Sequence, residues 1–203
     1  MIGWTAKRLL TALPLLSPFL ASVSITSYKP APVLAMRLRK DDVVSVNPSG
    51  FVCEALKHRG YVDPISEVPI EQLGIAFEGT PASGEVRALC SRVLLRDGTV
   101  AQLPLLDFRC AVSPANQEAI ALAMKSMGQH RGALLESGRS YHFYGYDPLE
   151  PGEWVRFMSR AILLAPLIDV RYLAHCLIEG LACLRVDTHS THPAEPVVVR
   201  LMA

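Results

Sequence analysis

Between residues 85 and 108 apolar and polar side chains alternate loosely, and Asp97-Gly98 interrupts the run. Asp-Gly between two such stretches is a strong local hairpin signal, so 85–95 and 99–108 are predicted as paired strands. The second run ends in Leu105-Leu106-Asp107-Phe108-Arg109. Residues two apart on a strand share a face, which sets Leu105 and Asp107 on one side and Leu106 and Phe108 on the other. From residue 113 the period becomes helical. Ser113 can cap, Pro114 costs no bond in a first turn, and Ile120, Ala121, Met124 and Met127 form a stripe that Gly128 closes. Residues 132–136 read as a short buried strand, and the turn Ser137-Gly138-Arg139-Ser140 leads into a strand over 141–144. There Ser140, His142 and Tyr144 share one face, while Tyr141 and Phe143 take the other, toward a core.

Two more helices follow. Over 148–164, Trp154, Phe157, Met158, Ala161 and Ile162 form the apolar side, and Arg156 and Arg160 lie on a solvated one. Over 170–179, Leu173, Ala174, Leu177 and Ile178 face inward, Asp169 stands at the cap position and Gly180 at the stop. Residues 181–186 return as a strand carrying Arg185, and 197–201 suit an edge strand. The loop between holds Asp187, His189 and His192, whose loop setting favours solvated side chains over a metal site.

Upstream of residue 84 the pattern is weaker. Residues 36–83 read as a small helical and loop segment packing on the core, with a helix over 51–58 and a short strand near 74–77. In residues 1–35, Lys7-Arg8 precede an apolar run broken by Pro14 and Pro18. That run is either a secretory signal or a disordered or weakly helical extension, with Met36 an alternative start; the extension is favoured. The prolines make it a poor membrane span.

Composition narrows the function classes. The chain has 203 residues, half of them apolar, which suits one domain or one domain with a tail. A formal charge of +1 supplies no bulk basic field, so any nucleic-acid contact must be local. Five widely spaced cysteines without a C-x-x-C disfavour a disulfide framework or a zinc knuckle, and imply reduced, buried thiols in a cytoplasmic protein.

Asp107 is the first candidate for chemistry. A carboxylate at the tip of an apolar strand is costly unless it pairs, here with Arg109, or joins a site. Ser140 and His142 beside the Gly138-Arg139 turn offer a hydroxyl, a ring N–H and a guanidinium, all donors suited to phosphate oxygens. If the Asp107 strand lies beside the returning pair, Asp107 and His142 approach each other on an open face. Asp169 serves as cap, as ligand, or as both.

In their order and spacing these segments resemble the archaeo-eukaryotic primase superfamily over about residues 84–203, and the run from Ser137 to Arg185 resembles its bacterial primase-like members. Ser140-Tyr141-His142 is similar to its Ser-x-His motif, Leu105-Leu106-Asp107-Phe108-Arg109 to its first acidic motif, and Leu167-Ile168-Asp169, followed by Leu184-Arg185-Val186, to its third. The resemblance implies an α+β fold, an RRM-like antiparallel sheet with two or three helices packed on it. It implies a primase-polymerase nucleotidyltransferase of DNA replication, with Asp107, Asp169 and His142 catalytic. Asp107 and Asp169 would hold Mg²⁺ or Mn²⁺. Ser140, His142, Arg139, Arg185 and Arg109 would bind the phosphates of a nucleotide triphosphate or nucleic acid. Arg109 replaces the second acid of the first motif, which opposes metal binding by charge. That departure favours the alternative of a non-catalytic module binding nucleic acid or replication proteins. A small hydrolase ranks below both, since neither G-x-S-x-G nor a Cys-His nucleophile signature occurs.

Overall fold

The structure, a computed structural model, describes residues 1–29, 65–82, 84–188 and 193–203. The helix expected over 51–58, Met36, His189 and His192 lie outside the described residues.

The apolar run after Lys7-Arg8 forms core elements where the sequence suggests weak helix or disorder. Thr5 caps α1 (Ala6–Thr11), which buries Ala6, Leu9 and Leu10. Pro14 falls in the first turn of α2 (Leu13–Leu16), where a missing amide costs nothing. Then β1 (Leu20–Tyr28) buries Val23 against the main core. The signal-like stretch therefore supplies core residues from a half-buried helix pair, Ala6, Leu9, Leu10 and Leu13, and from a strand. β2 (Ser66–Pro69) pairs antiparallel with β1. A 3₁₀ turn leads from it into α3 (Leu73–Ala76), a helical turn where the sequence suggests a strand. Leu73 and Phe77, four apart, both enter the core, and a Cβ added at Gly74 would stand 3.4 Å from the Thr11 side chain of α1.

The predicted hairpin joins β3 (Val86–Leu95) to β4 (Val100–Gln102). Gly98 takes φ +85°, which a residue without Cβ adopts readily, and the Asp97 carboxylate accepts from the Thr99 amide at 2.9 Å. The strand does not run on to Asp107 in the same sheet. Pro104 offers no N–H to a ladder, and there the chain crosses into a second sheet as β5 (Leu105–Asp107). Then come α4 (Pro114–Ser126), β6 (Gly132–Glu136), β7 (Tyr141–Gly145), α5 (Pro151–Ala161), α6 (Val170–Glu179), β8 (Cys183–Arg185) and β9 (Val197–Met202).

Among the described residues, one sheet runs β2-β1-β3-β4 with β8 also on β3, and the other runs β5-β7-β6-β9. The fold is α+β with antiparallel pairing in both sheets. The β5-α4-β6-β7 unit is a split β-α-β arrangement, with β7 returning between β5 and β6. No helix among the described residues is long and apolar enough to cross a membrane. Arg156 pairs with Glu153 at 3.6 Å and Arg160 donates to the Ser126 carbonyl, both at the surface as expected.

A buried ion pair fastens the two ends of the chain to β3. The Asp187 side chain is only 3% exposed. Its Oδ2 accepts from the Arg87 amide and Nε, both at 2.9 Å, and its Oδ1 accepts from Arg87 Nη2 at 2.9 Å and lies 2.7 Å from Lys7 Nζ. The remaining Arg87 donors go to the carbonyls of Ala76, Glu78 and Gly79.

Burial alone would raise the Asp187 carboxyl, but the bonds from Arg87 and Lys7 outweigh it and hold it down at about 2. Its unfolded value is higher, so the stability it contributes is present above about pH 4 and lost as pH falls toward 2. That contribution is about 2 kcal/mol. Asp187→Asn leaves a buried guanidinium without its anion and is expected to cost about 3–5 kcal/mol in urea denaturation at pH 7. Gly132 faces Gly145 across β6 and β7, and a Cβ on Gly132 would stand 2.7 Å from the Tyr144 carbonyl. Gly132→Ala is expected to cost about 1–3 kcal/mol in the same assay.

Candidate functional site

The site begins with one pair in the ladder. β5 and β7 run antiparallel with Leu105 opposite Tyr144, Leu106 opposite Phe143 and Asp107 opposite His142. Direct partners in a ladder point to the same face. Asp107 Oδ1 and His142 Nε2 stand 3.6 Å apart. The expectation that the two share a face is met, and Tyr141 and Phe143 are fully buried on the other side.

Asp169 reaches the same place from 62 residues further along the chain, by backbone pairing. Phe108 bridges Ile168, the Arg109 amide donates to the Leu167 carbonyl at 2.9 Å, and the Asp169 amide donates to the Asp107 carbonyl at 3.2 Å. Residues 167–169 thus form one more rung beside the end of β5. Asp169 Oδ1 caps α6, accepting from the Arg171 amide at 3.0 Å and the Tyr172 amide at 3.1 Å. Both cap bonds use the same oxygen.

The face carrying His142 is covered rather than open. The Tyr144 hydroxyl donates to the Arg185 carbonyl, so β8 of the first sheet lies over the β5–β7 pair. The His142 side chain keeps 7% of its surface and Asp107 keeps 34%. Protein atoms crowd Asp107 even so. Burial pushes its carboxyl up to about 7, the nearby Asp169 charge pushes the same way, and Arg185 opposes them.

The predicted phosphate donors separate into two groups. Arg109 and Arg139 are exposed, Arg139 in the turn ahead of β7. Arg185 is buried, and its guanidinium donates to the carbonyls of Asp187, Ala194 and Ser137. The Ser140 hydroxyl donates to the Phe108 carbonyl, which ties the turn to the end of β5. Arg109 does not pair with Asp107 by any bond in the structure; the ladder partner His142 and the neighbour Asp169 take that position.

Two tyrosines add to the surroundings. Tyr144 shares the parity of His142, so the strand period could have identified it. Burial drives its hydroxyl pKa far up, with Arg185 opposing. Tyr28 ends β1, and burial raises its hydroxyl to about 12, with Arg185 opposing and Asp107 a smaller influence in the same direction as burial. No local signal announces Tyr28, because the pairing of β1 with β3 brings it there. Among the described residues, no three His, Cys, Asp or Glu side chains form a group able to hold a metal.

The sequence pattern defining the AEP-like family, described as archaeo-eukaryotic primase 1D-like, matches residues 71–197. That span includes Asp107, Ser140, His142, Asp169 and Arg185. Neither curated proteins nor solved structures give a match.

The raised Asp107 carboxyl has a consequence for stability. Its folded value, about 7, lies above its ordinary 3.8, so the folded state holds the proton more tightly. The stability this group contributes is complete below about pH 4 and is lost as pH rises through 7. Asp107→Asn removes that loss. The variant is expected to match the wild type in urea midpoint near pH 4 and to exceed it at pH 8. Parallel profiles for the two proteins would contradict the assignment.

Proposed function

The chain belongs to the AEP-like, archaeo-eukaryotic primase 1D-like family, and from that premise we propose a nucleotidyltransferase-like site that binds the phosphates of a nucleotide or nucleic acid. The observation that carries this reading is the cross-strand placement of Asp107 against His142, with Asp169 on the adjoining rung. The His142 ring N–H is a donor suited to phosphate oxygens, and the exposed guanidinium groups of Arg139 and Arg109 add charge-assisted donors at the rim. Ser140 and Arg185, whose donors go to backbone carbonyls, act as positioning residues. Ser140 holds the turn against β5, and Arg185 supplies positive charge behind Asp107.

In the catalytic form of this reading, a sugar hydroxyl oxygen attacks the α-phosphorus of a bound triphosphate and the bond to the β-phosphate oxygen breaks. Pyrophosphate leaves, and the hydroxyl proton passes to water. Asp107 and the Asp169 oxygen outside the cap would hold a divalent cation, Mg²⁺ or Mn²⁺. Two carboxylates with water and phosphate oxygens suit one such ion. A bound ion supplies charge neutralisation of the phosphoryl oxygens. A two-ion clamp lacks a further carboxylate, because Arg109 stands in its place.

The same residue favours a second reading, a non-catalytic member that binds nucleic acid or replication proteins. Titration of the full chain with a fluorescent deoxynucleotide triphosphate, with and without Mn²⁺, together with primer-synthesis and primer-extension assays, separates the two. His142→Ala is expected to weaken nucleotide binding by about 10–100-fold, the scale of a lost bond to a charged group. Asp107→Asn is expected to keep binding and lose product. Binding without product in the wild type would favour the non-catalytic reading. Failure to bind either nucleotide or oligonucleotide would overturn the phosphate-binding site in either reading.

A further inference from the structure

The pairing of β3 with β8 sets Cys90 directly opposite Cys183, 93 residues away in sequence. Their sulfurs stand 2.8 Å apart. The flanking bonds give the type of pair. The Ser91 amide donates to the Ala182 carbonyl, and the Val186 amide to the Arg87 carbonyl. Ladder bonds alternate, so Cys90 and Cys183 form a non-hydrogen-bonded pair, in which Cα atoms lie about 4.5 Å apart. That separation falls within the range of about 4.4–6.8 Å that a disulfide spans. Consistent with this, the Cys183 amide turns away from β3, toward the Cys176 thiol.

Both cysteines belong to a small cluster with Ala88 and Leu181, apart from the main core, against which Tyr28 packs. Cys90 is fully buried, whereas Cys183 retains 7% of its surface. The loop they would close, 90–183, contains Asp107, His142 and Asp169. Arg185 follows Cys183 by two residues on the same strand and therefore on the same face.

We propose that Cys90 and Cys183 are a redox-active pair that closes to a reversible cross-strand disulfide on exposure to a peroxide. Cys183, the less buried of the two residues, attacks one peroxide oxygen as the thiolate. The O–O bond breaks, the attacked oxygen stays on sulfur as a sulfenic acid, and the other leaves and is protonated to water. Cys90 gives up its proton and attacks the Cys183 sulfur, the S–O bond breaks, and the second oxygen leaves as water. Two thiols and one hydrogen peroxide become one disulfide and two waters. An added dithiol reverses the change by thiol–disulfide exchange. The oxidised form pins β8, and Arg185 with it, to β3.

The test is a peptide map of the folded full chain, reduced, treated with hydrogen peroxide, and alkylated under denaturing conditions without reductant. The expected product is a Cys90–Cys183 linked peptide, two hydrogens lighter than the sum of its parts. It should disappear after dithiothreitol, with both residues then alkylated. Cys90→Ser, treated in the same way, is expected to lose every peptide derived from this link. Recovery of Cys90 and Cys183 both as alkylated thiols after peroxide overturns the proposal. So does Cys183 joined instead to another cysteine in the wild type.

Discussion

A buried carboxylate with three nitrogen donors from one arginine holds this fold in register. Asp187 leaves β8 and meets the amide, Nε and Nη2 of Arg87 on β3, while Lys7 of α1 closes on the same group. Geometry of this quality is what allows an ion pair to offset its own desolvation. The carbonyl of Asp187 in turn accepts from Arg185, and the carbonyl of Arg185 accepts from Tyr144 on the other sheet. The cover over the Asp107 face therefore depends on an ion pair that reaches the candidate site only through Arg185.

Covering that face changes its chemistry. On an open sheet Asp107 would be an ordinary ionised acid. Under β8 it loses water, gains the Asp169 carboxylate as a neighbour on the adjoining rung, and has Arg185 as a counter-charge whose donors point to carbonyls. Desolvation and like charge act in one direction. Perturbed acids of this kind concentrate at functional sites, and here the perturbed group has an imidazole as its ladder partner. The site gathers its groups from β5, β7 and the entry to α6, with Tyr28 arriving from β1.

Much of this was legible residue by residue. Asp97-Gly98 marks its hairpin, and Ser113-Pro114 opens α4 with the serine capping the Asn116 amide. Asp169 caps α6, and Gly180, at φ +65°, ends it. Strand parity placed His142 with Tyr144 and Asp107 with Leu105. Other features had no local mark. Pro104 divides one alternating run between two sheets, because a residue without an amide donor leaves the ladder there. The stretch from Leu9 to Ile25 has the composition of an export signal, and packing against β3 and α3 makes it core.

By itself, then, the sequence determined most of the local geometry, the turns, caps and the face each strand residue takes, although the expected α6 stripe is rotated, with Cys176 buried and Ala174 and Ile178 exposed. These depend on neighbours within about four positions, through backbone conformation and side-chain spacing. Only the tertiary structure decided which faces meet. It set Asp169 beside Asp107, Cys90 against Cys183 and Tyr28 near Arg185, and it placed β8 over His142. Such pairings are chosen by the burial and hydrogen bonding of the whole chain at once, and segments far apart in sequence carry no local signal of which partner they will find.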